Sequence, residues 1–140
     1  MSEIVVGYDG SDCAEAALDV ALGRAKDRGD GIVAVFGYAP PGIWGGEIAE
    51  HEQAVEELGT KVLDKAKQRA ADQGVEAAVE LVPQRASEAL VAVAETRGAR
   101  MIVVGTHGEG PLTEMVLGST PNKLLHLSQL PVLVVPANPH

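Results

Sequence analysis

The sequence predicts an α/β protein, a doubly wound parallel sheet of five strands with helices on both faces. Five short apolar runs, typical of buried strands, alternate with stretches whose apolar residues recur at helical spacing. Glycines end three of the helical stretches, so strand and helix follow each other in turn. Strands that alternate with helices form βαβ units, and such units build a sheet that helices cover on both sides.

The predicted strands are short and rich in valine and isoleucine. They cover residues 4–6, 32–38, 75–82, 101–104 and 132–135. The third alternates in polarity, whereas the others are continuous apolar runs. Continuous runs are typical of strands that are buried on both faces of a parallel sheet.

Four helices are predicted between these strands. The first begins after the capping hydroxyl of Ser11 and ends at Gly29, and the others cover residues 47–73, 86–97 and about 119–128. The apolar spacing also predicts which side chains face the sheet. For the second helix these are Ile48, Val55, Leu58, Val62 and Ala66.

The composition excludes several classes of protein. The net charge is −9, which argues against a partner such as nucleic acid or an anionic membrane. One cysteine cannot form an internal disulfide and fits a reducing cytoplasm. The sequence contains no apolar stretch long enough to predict a membrane span. We therefore expect residues 1–140 to form one cytoplasmic domain.

The most informative segment is a glycine-rich loop that follows the fourth strand. The strand stops at Gly105, Gly108 comes three residues later, and nine residues separate Gly108 from Gly118. Ser119 or Thr120, followed by proline, is a good start for a helix. A strand end, a glycine loop and a helix N-terminus together offer backbone N–H groups to an anion. This pattern predicts a phosphate-binding site.

The motif G-x2-G-x9-G-S, which begins at Gly105, resembles the nucleotide-binding signature of the universal stress protein family. Residues 4–11 (IVVGYDGS) resemble the first strand and acidic turn of that family, and residues 131–135 (PVLVV) resemble its last strand. The resemblance covers nearly the whole chain. It implies a Rossmann-like sheet with the strand order 3-2-1-4-5, in which the first and fourth strands are neighbours.

The resemblance also implies that an adenine nucleotide binds where these two strands end. Asp9 would contact adenine and ribose, Gly37 and Val104 would lie beside adenine, and the glycine loop would hold the phosphates. The implied binding residues are Asp9, Gly37, Val104, Gly105, Gly108, Gly118, Ser119 and Thr120. Other roles stay open for some of them, since Asp9 can cap its own turn and Val104 can be a plain core residue.

The loop departs from the family pattern at three positions. Glu109 and Glu114 stand where nucleotide-binding relatives commonly have basic residues, and Pro111 stands where relatives often have glycine. Carboxylates beside a triphosphate repel it unless they point away or share a Mg²⁺ ion.

The resemblance implies a cytoplasmic, ATP-binding regulator of the stress response that uses Mg²⁺ and dimerises through its last strand. No Walker A lysine follows the glycines, so we assign no catalytic residue and expect at most slow ATP hydrolysis. The alternative is a dimeric family member that no longer binds nucleotide and acts as an interaction module. Glu109 and Glu114 favour this alternative, whereas the intact glycine spacing favours the first.

Overall fold

The computed structural model of the chain describes residues 2–38, 46–106 and 119–137. In this part of the chain, five strands alternate with four helices. The strands are β1 (Glu3–Gly7), β2 (Gly31–Gly37), β3 (Ala77–Val82), β4 (Met101–Gly105) and β5 (Val132–Val135). The helices are α1 (Asp12–Arg28), α2 (Gly46–Asp72), α3 (Ala86–Arg97) and α4 (Ser119–Leu127).

All strand pairs are parallel, and the strand order is β3-β2-β1-β4-β5. Val5 of β1 lies opposite Val33 of β2 on one side and Ile102 of β4 on the other. The predicted fold class and strand order are therefore confirmed. Because β1 lies between β2 and β4, the carboxyl ends of these three strands meet at the same edge of the sheet.

Two hydrophobic layers sandwich the sheet. Ile4, Val6 and Ile32 pack with the apolar faces of α1 and α2 on one side. Val5 and Val33 pack with α3 and α4 on the other side. Alternate residues of a strand point to opposite faces, so a strand that is covered on both sides must be apolar throughout.

The ends of the helices are where the sequence places them. Ser11 Oγ accepts a hydrogen bond of 3.2 Å from the Ala14 N–H and caps α1. Gly29, after α1, and Gly98, after α3, both adopt the left-handed conformation that terminates a helix. None of the helices in the described ranges is both long enough and apolar enough to cross a bilayer.

One predicted inward-facing side chain of α2 is wrong. Leu58 is 56% exposed, whereas Leu63 and Ala66 are buried. The reason is the neighbouring Gly59, where an added Cβ would lie only 2.6 Å from Leu81 Cδ1. The helix approaches β3 most closely at this glycine, which turns the preceding residue toward solvent.

Candidate functional site

A cavity of about 120 Å³ opens at the carboxyl ends of β1, β2 and β4. Five of the predicted binding residues line it: Asp9, Gly37, Val104, Gly105 and Thr120. Gly108 and Gly118 lie outside the described residues, and Ser119 is described only as the first residue of α4. In a doubly wound sheet, ligands bind where the strand order reverses, and β1 and β4 flank that point here.

Glycines at two strand ends allow the surrounding backbone to approach closely. A Cβ at Gly105 would lie 2.5 Å from Cys13 Cβ and 2.8 Å from the Cys13 carbonyl oxygen. A Cβ at Gly37 would lie 2.8 Å from the Gln84 carbonyl oxygen and 2.9 Å from Ala86 Cα. Neither glycine is among those with positive φ in the described ranges. Their role in the fold is therefore to leave space for the starts of α1 and α3.

The turn after β1 holds Asp9 at the rim of the cavity. Asp9 Oδ1 accepts a hydrogen bond of 3.0 Å from the Ser11 N–H, which is the turn-capping role that the sequence left open. Among the described residues, nothing donates to the second carboxylate oxygen. One oxygen thus fixes the turn, while the carboxylate keeps the capacity to accept a hydrogen bond from a ligand.

Apolar side chains form the floor of the cavity. Val104 is only 3% exposed and packs in the α3 and α4 layer, and Val35 and Leu90 also line the cavity. Val104 therefore has both of the roles that the sequence allowed, as a core residue and as part of the cavity wall. An apolar floor with a few polar groups at the rim is the usual construction of a small-molecule site.

The start of the glycine loop is anchored to two elements. The Thr106 N–H donates a hydrogen bond of 3.0 Å to the Val135 carbonyl oxygen at the end of β5. Thr106 Oγ1 also lies 3.5 Å from Cys13 Sγ in the first turn of α1. The chain therefore leaves β4 along a path that β5 and α1 determine.

A charged network beside the cavity escaped the sequence analysis. The buried Tyr8 donates a hydrogen bond to Glu15, which also accepts from Lys65 Nζ at 2.7 Å and from Arg69 Nη1 at 2.8 Å. Arg69 pairs in addition with Asp19. The network joins β1, α1 and α2 and supports the Asp9 turn. The one signal for it is the matching i, i+4 spacing of the acids on α1 and the bases on α2.

These contacts shift two pKa values. Burial, reinforced by the bond to Glu15, raises the pKa of Tyr8 well above its ordinary value. Burial alone would raise the pKa of Glu15 as well. The hydrogen bonds from Lys65 and Tyr8, together with the charge of Arg69, outweigh burial and lower the pKa of Glu15. Both groups therefore keep their ordinary neutral-pH charge states.

The described residues contain no group of three or more His, Cys, Asp or Glu side chains that could hold a metal ion. Asp9 is the carboxylate that the described part of the chain contributes to the cavity wall. Glu109 and Glu114, which the sequence suggests as partners of Mg²⁺, lie outside the described residues.

Comparison with known proteins identifies the family. Residues 1–136 match the model of the universal stress protein family. The chain is 32% identical to universal stress protein YxiE of Bacillus subtilis, covering 96% of this chain and 98% of the relative. Several mycobacterial relatives are longer, and the chain spans 44% of their length.

Solved structures agree with this assignment. A universal stress protein from Burkholderia pseudomallei is 33% identical, with a TM-score of 0.79 over 97% of this chain and 96% of that one. A universal stress protein in complex with cAMP is 26% identical, with a TM-score of 0.75 over 98% of both chains. On the fold, the strand order and these matches, the chain belongs to the universal stress protein family.

Proposed function

We propose that the chain binds an adenine nucleotide in the cavity at the ends of β1, β2 and β4 and acts as a nucleotide-responsive regulator of the stress response. The observation that carries the proposal is the lining of this cavity. Asp9, Gly37, Gly105 and Thr120 come from four separate elements, yet they line one space at the point where the strand order reverses. The relative solved with cAMP, an adenine nucleotide, supports the same ligand class.

Each part of the cavity suits one part of the nucleotide. The apolar floor formed by Val35, Leu90 and Val104 suits the faces of an adenine ring. The Asp9 carboxylate suits a ribose hydroxyl or the adenine amino group, because both are donors and the carboxylate only accepts. The N-terminus of α4, beside Thr120, suits the phosphates.

ATP is the nucleotide that we propose, with Mg²⁺ as its counterion. Since the described residues hold no cluster of metal ligands, Mg²⁺ would be held chiefly by phosphate oxygens. The role of this chain's own residues is to bind and orient the nucleotide.

We also propose a homodimer in the cytoplasm, joined through the edge strand β5. In the described sheet β5 pairs with β4 on one side, and Val132, Leu133 and Val134 are only partly buried. An edge strand with apolar side chains favours pairing with a second copy. Val134→Lys should convert the dimer to a monomer in sedimentation, whereas wild-type protein that is already monomeric at micromolar concentration would contradict the dimer.

Calorimetry with ATP, AMP and cAMP tests the nucleotide site. Asp9→Asn keeps an oxygen that can accept from the Ser11 N–H but removes the charge, so it tests the carboxylate without breaking the turn. We expect affinity to fall about fivefold, because a hydrogen bond to a charged group is about 1 kcal/mol stronger than a neutral one. Asp12→Asn, at the exposed start of α1, is the matched control and should bind as wild type.

The extract of the purified protein gives an independent result. Heat-released material is expected to contain an adenine nucleotide. If wild-type protein retains no nucleotide and binds none of the three at millimolar concentration, the proposal fails and the interaction module becomes the better description.

A further inference from the structure

A second pocket, of about 280 Å³, adjoins the cavity. The two share Gly37, Ala86 and Thr120, so they lie on either side of the same short wall. The second pocket extends between the end of β2, the start of α3 and the first turns of α4. Its remaining lining residues are Tyr38, Arg85, Ser87 and Lys123.

Two positive side chains line this pocket. Arg85 and Lys123 are exposed, and neither forms an ion pair with any described residue. The lining set contains no Asp or Glu from the described ranges. In a chain with a net charge of −9, two cations at one concave surface, neither paired within the described ranges, attract anions.

A buried hydroxyl also lines this pocket. Ser87 is 2% exposed, and its hydroxyl has no hydrogen-bond partner in the described part of the chain. Leaving a buried polar group unsatisfied costs about 1–3 kcal/mol, so such groups are rare in folded proteins. An acceptor atom in the pocket would satisfy this hydroxyl.

The backbone beside Ser87 has the same requirement. Arg85 is the N-cap residue of α3, but its side chain makes no capping hydrogen bond. Arg85 therefore offers no side-chain acceptor to the first backbone N–H groups of the helix, and the helix dipole places partial positive charge at this end. One acceptor that carries negative charge would suit both cations, the Ser87 hydroxyl and the N-terminus of α3.

We propose that this second pocket is a phosphate-binding subsite formed by Arg85, Ser87 and Lys123, none of which belongs to the glycine-loop motif. Arginine and lysine donate charge-assisted hydrogen bonds to phosphate oxygens, and the serine hydroxyl adds a third donor. The proposal extends the proposed function, because the shared wall at Gly37 and Ala86 places the subsite beside the nucleotide cavity. The phosphate belongs either to the nucleotide in the cavity or to a separate phosphate compound.

The main experiment compares a double variant with a charge-matched control. Arg85→Gln with Lys123→Gln removes both pocket cations. Arg24→Gln with Lys67→Gln removes two exposed cations that form no ion pair in the described chain. Adenosine, AMP and inorganic phosphate are titrated into each protein by calorimetry at low salt.

The three probes separate the two sources of phosphate. If the phosphate belongs to the nucleotide, the double variant should bind adenosine normally but AMP about tenfold more weakly, since charge-assisted hydrogen bonds are lost. If it belongs to a separate compound, AMP should bind normally, while inorganic phosphate should bind wild type and the control but not the double variant. Equal binding of AMP and of phosphate by all three proteins would overturn the proposal.

A Ser87→Ala variant separates a ligand role from a structural one. Without ligand, its melting temperature should equal or exceed that of wild type, because an unsatisfied buried hydroxyl is removed. The rise in melting temperature caused by the phosphate-bearing probe should be smaller than in wild type. A lower melting temperature with an unchanged ligand-induced rise would mean that Ser87 is structural, which would count against the subsite. Failure of the nucleotide proposal is recognised separately, because wild type would then bind neither adenosine nor AMP.

Discussion

The two ends of the sheet differ in how some of their positively charged side chains are paired. Around the amino ends of the strands, cations have acidic partners. Arg100 Nε lies 3.0 Å from the buried Asp30 carboxylate, and Arg97 bonds Glu3 at 2.9 Å and Glu80 at 2.6 Å. Arg97 links the end of α3 to β1 and β3, and Arg100 links the segment before β4 to the segment before β2. These ion pairs hold neighbouring segments together.

At the carboxyl ends, three polar side chains of the second pocket have no partner among the described residues. Arg85 and Lys123 form no ion pair with described residues, and the buried Ser87 hydroxyl has no hydrogen-bond partner there. Gly37 and Gly105 contribute no side chain to fill the space. At the carboxyl ends the Glu15 network supports the Asp9 turn, whereas Arg85, Ser87 and Lys123 remain available to a ligand.

The largest expected effect comes from filling the space at Gly105. Gly105→Val should destabilise the protein by about 2–4 kcal/mol, because its Cβ would meet the Cys13 backbone and α1 would have to move. Gly23→Ala is the control, since a Cβ at this exposed helical position meets nothing within 4 Å. The control should be neutral or more stable. Thermal and urea unfolding would measure both, and equal midpoints would refute the close approach at Gly105.

The next effect tests the supporting end. Arg100→Gln should lower the free energy of unfolding by about 2 kcal/mol, because it leaves the buried Asp30 carboxylate without its guanidinium partner. Nucleotide affinity should not change, since the substitution lies at the opposite end of the sheet. Arg24→Gln removes an exposed cation that forms no ion pair within the described ranges, and it should have no effect. If Arg100→Gln lost nucleotide binding but kept its stability, the claim that this ion pair supports the fold would be contradicted.

A third prediction concerns the acidic residues of the glycine loop. If Glu109 and Glu114 face the phosphates, changing both to Arg should strengthen ATP binding about tenfold at low salt, and less at high salt. The gain should be smaller for AMP. If the two carboxylates share Mg²⁺, the variant should instead bind Mg-ATP more weakly and metal-free ATP more tightly, which calorimetry with EDTA distinguishes. Glu76 and Glu95, both exposed, provide the matched double change to Arg.

The smallest effect tests whether the Glu15 network belongs to the supporting framework. The pKa of Glu15 is lowered in the folded state from an ordinary value of 4.5, so the contribution of the Glu15 carboxylate to stability is fully present above that pH. The contribution should be lost as the pH falls through the lowered folded-state pKa. In Glu15→Gln, the melting temperature should therefore drop less than that of wild type between neutral and acidic pH. Glu95→Gln, an exposed control, should follow wild type; identical acid profiles for all three proteins would contradict this role.

Local patterns were sufficient to predict most elements. Helix α3 and strand β5 have the predicted bounds, because a glycine stop and an apolar run are signals that neighbouring residues carry themselves. Leu58 was misplaced because the rotation of α2 depends on where the helix meets β3. That contact, at Gly59, involves Leu81, which lies more than twenty residues away in the chain.

The site was predictable to a smaller extent. Periodicity alone does not specify strand order, so the expectation that the Asp9 turn and Gly105 are neighbours came from the family resemblance. The second pocket was not predicted, since Arg85 and Lys123 meet only because α3 and α4 pack on the same face of the sheet. Nor does the sequence reveal that Ser87 is buried and has no hydrogen-bond partner among the described residues.

The sequence by itself determined which segments are strands and helices, where the helices end, and that the sheet is parallel and covered on both faces. These properties follow from backbone preferences and from the apolar pattern within each segment, so they do not depend on distant residues. Only the tertiary structure decided which polar groups find partners. Asp30 pairs with Arg100 at one end of the sheet, whereas at the other end Arg85 and Lys123 line one pocket to which the described residues contribute no carboxylate. Whether two polar side chains pair depends on the distance between residues that are far apart in the chain, and only the packing of the helices and strands sets that distance.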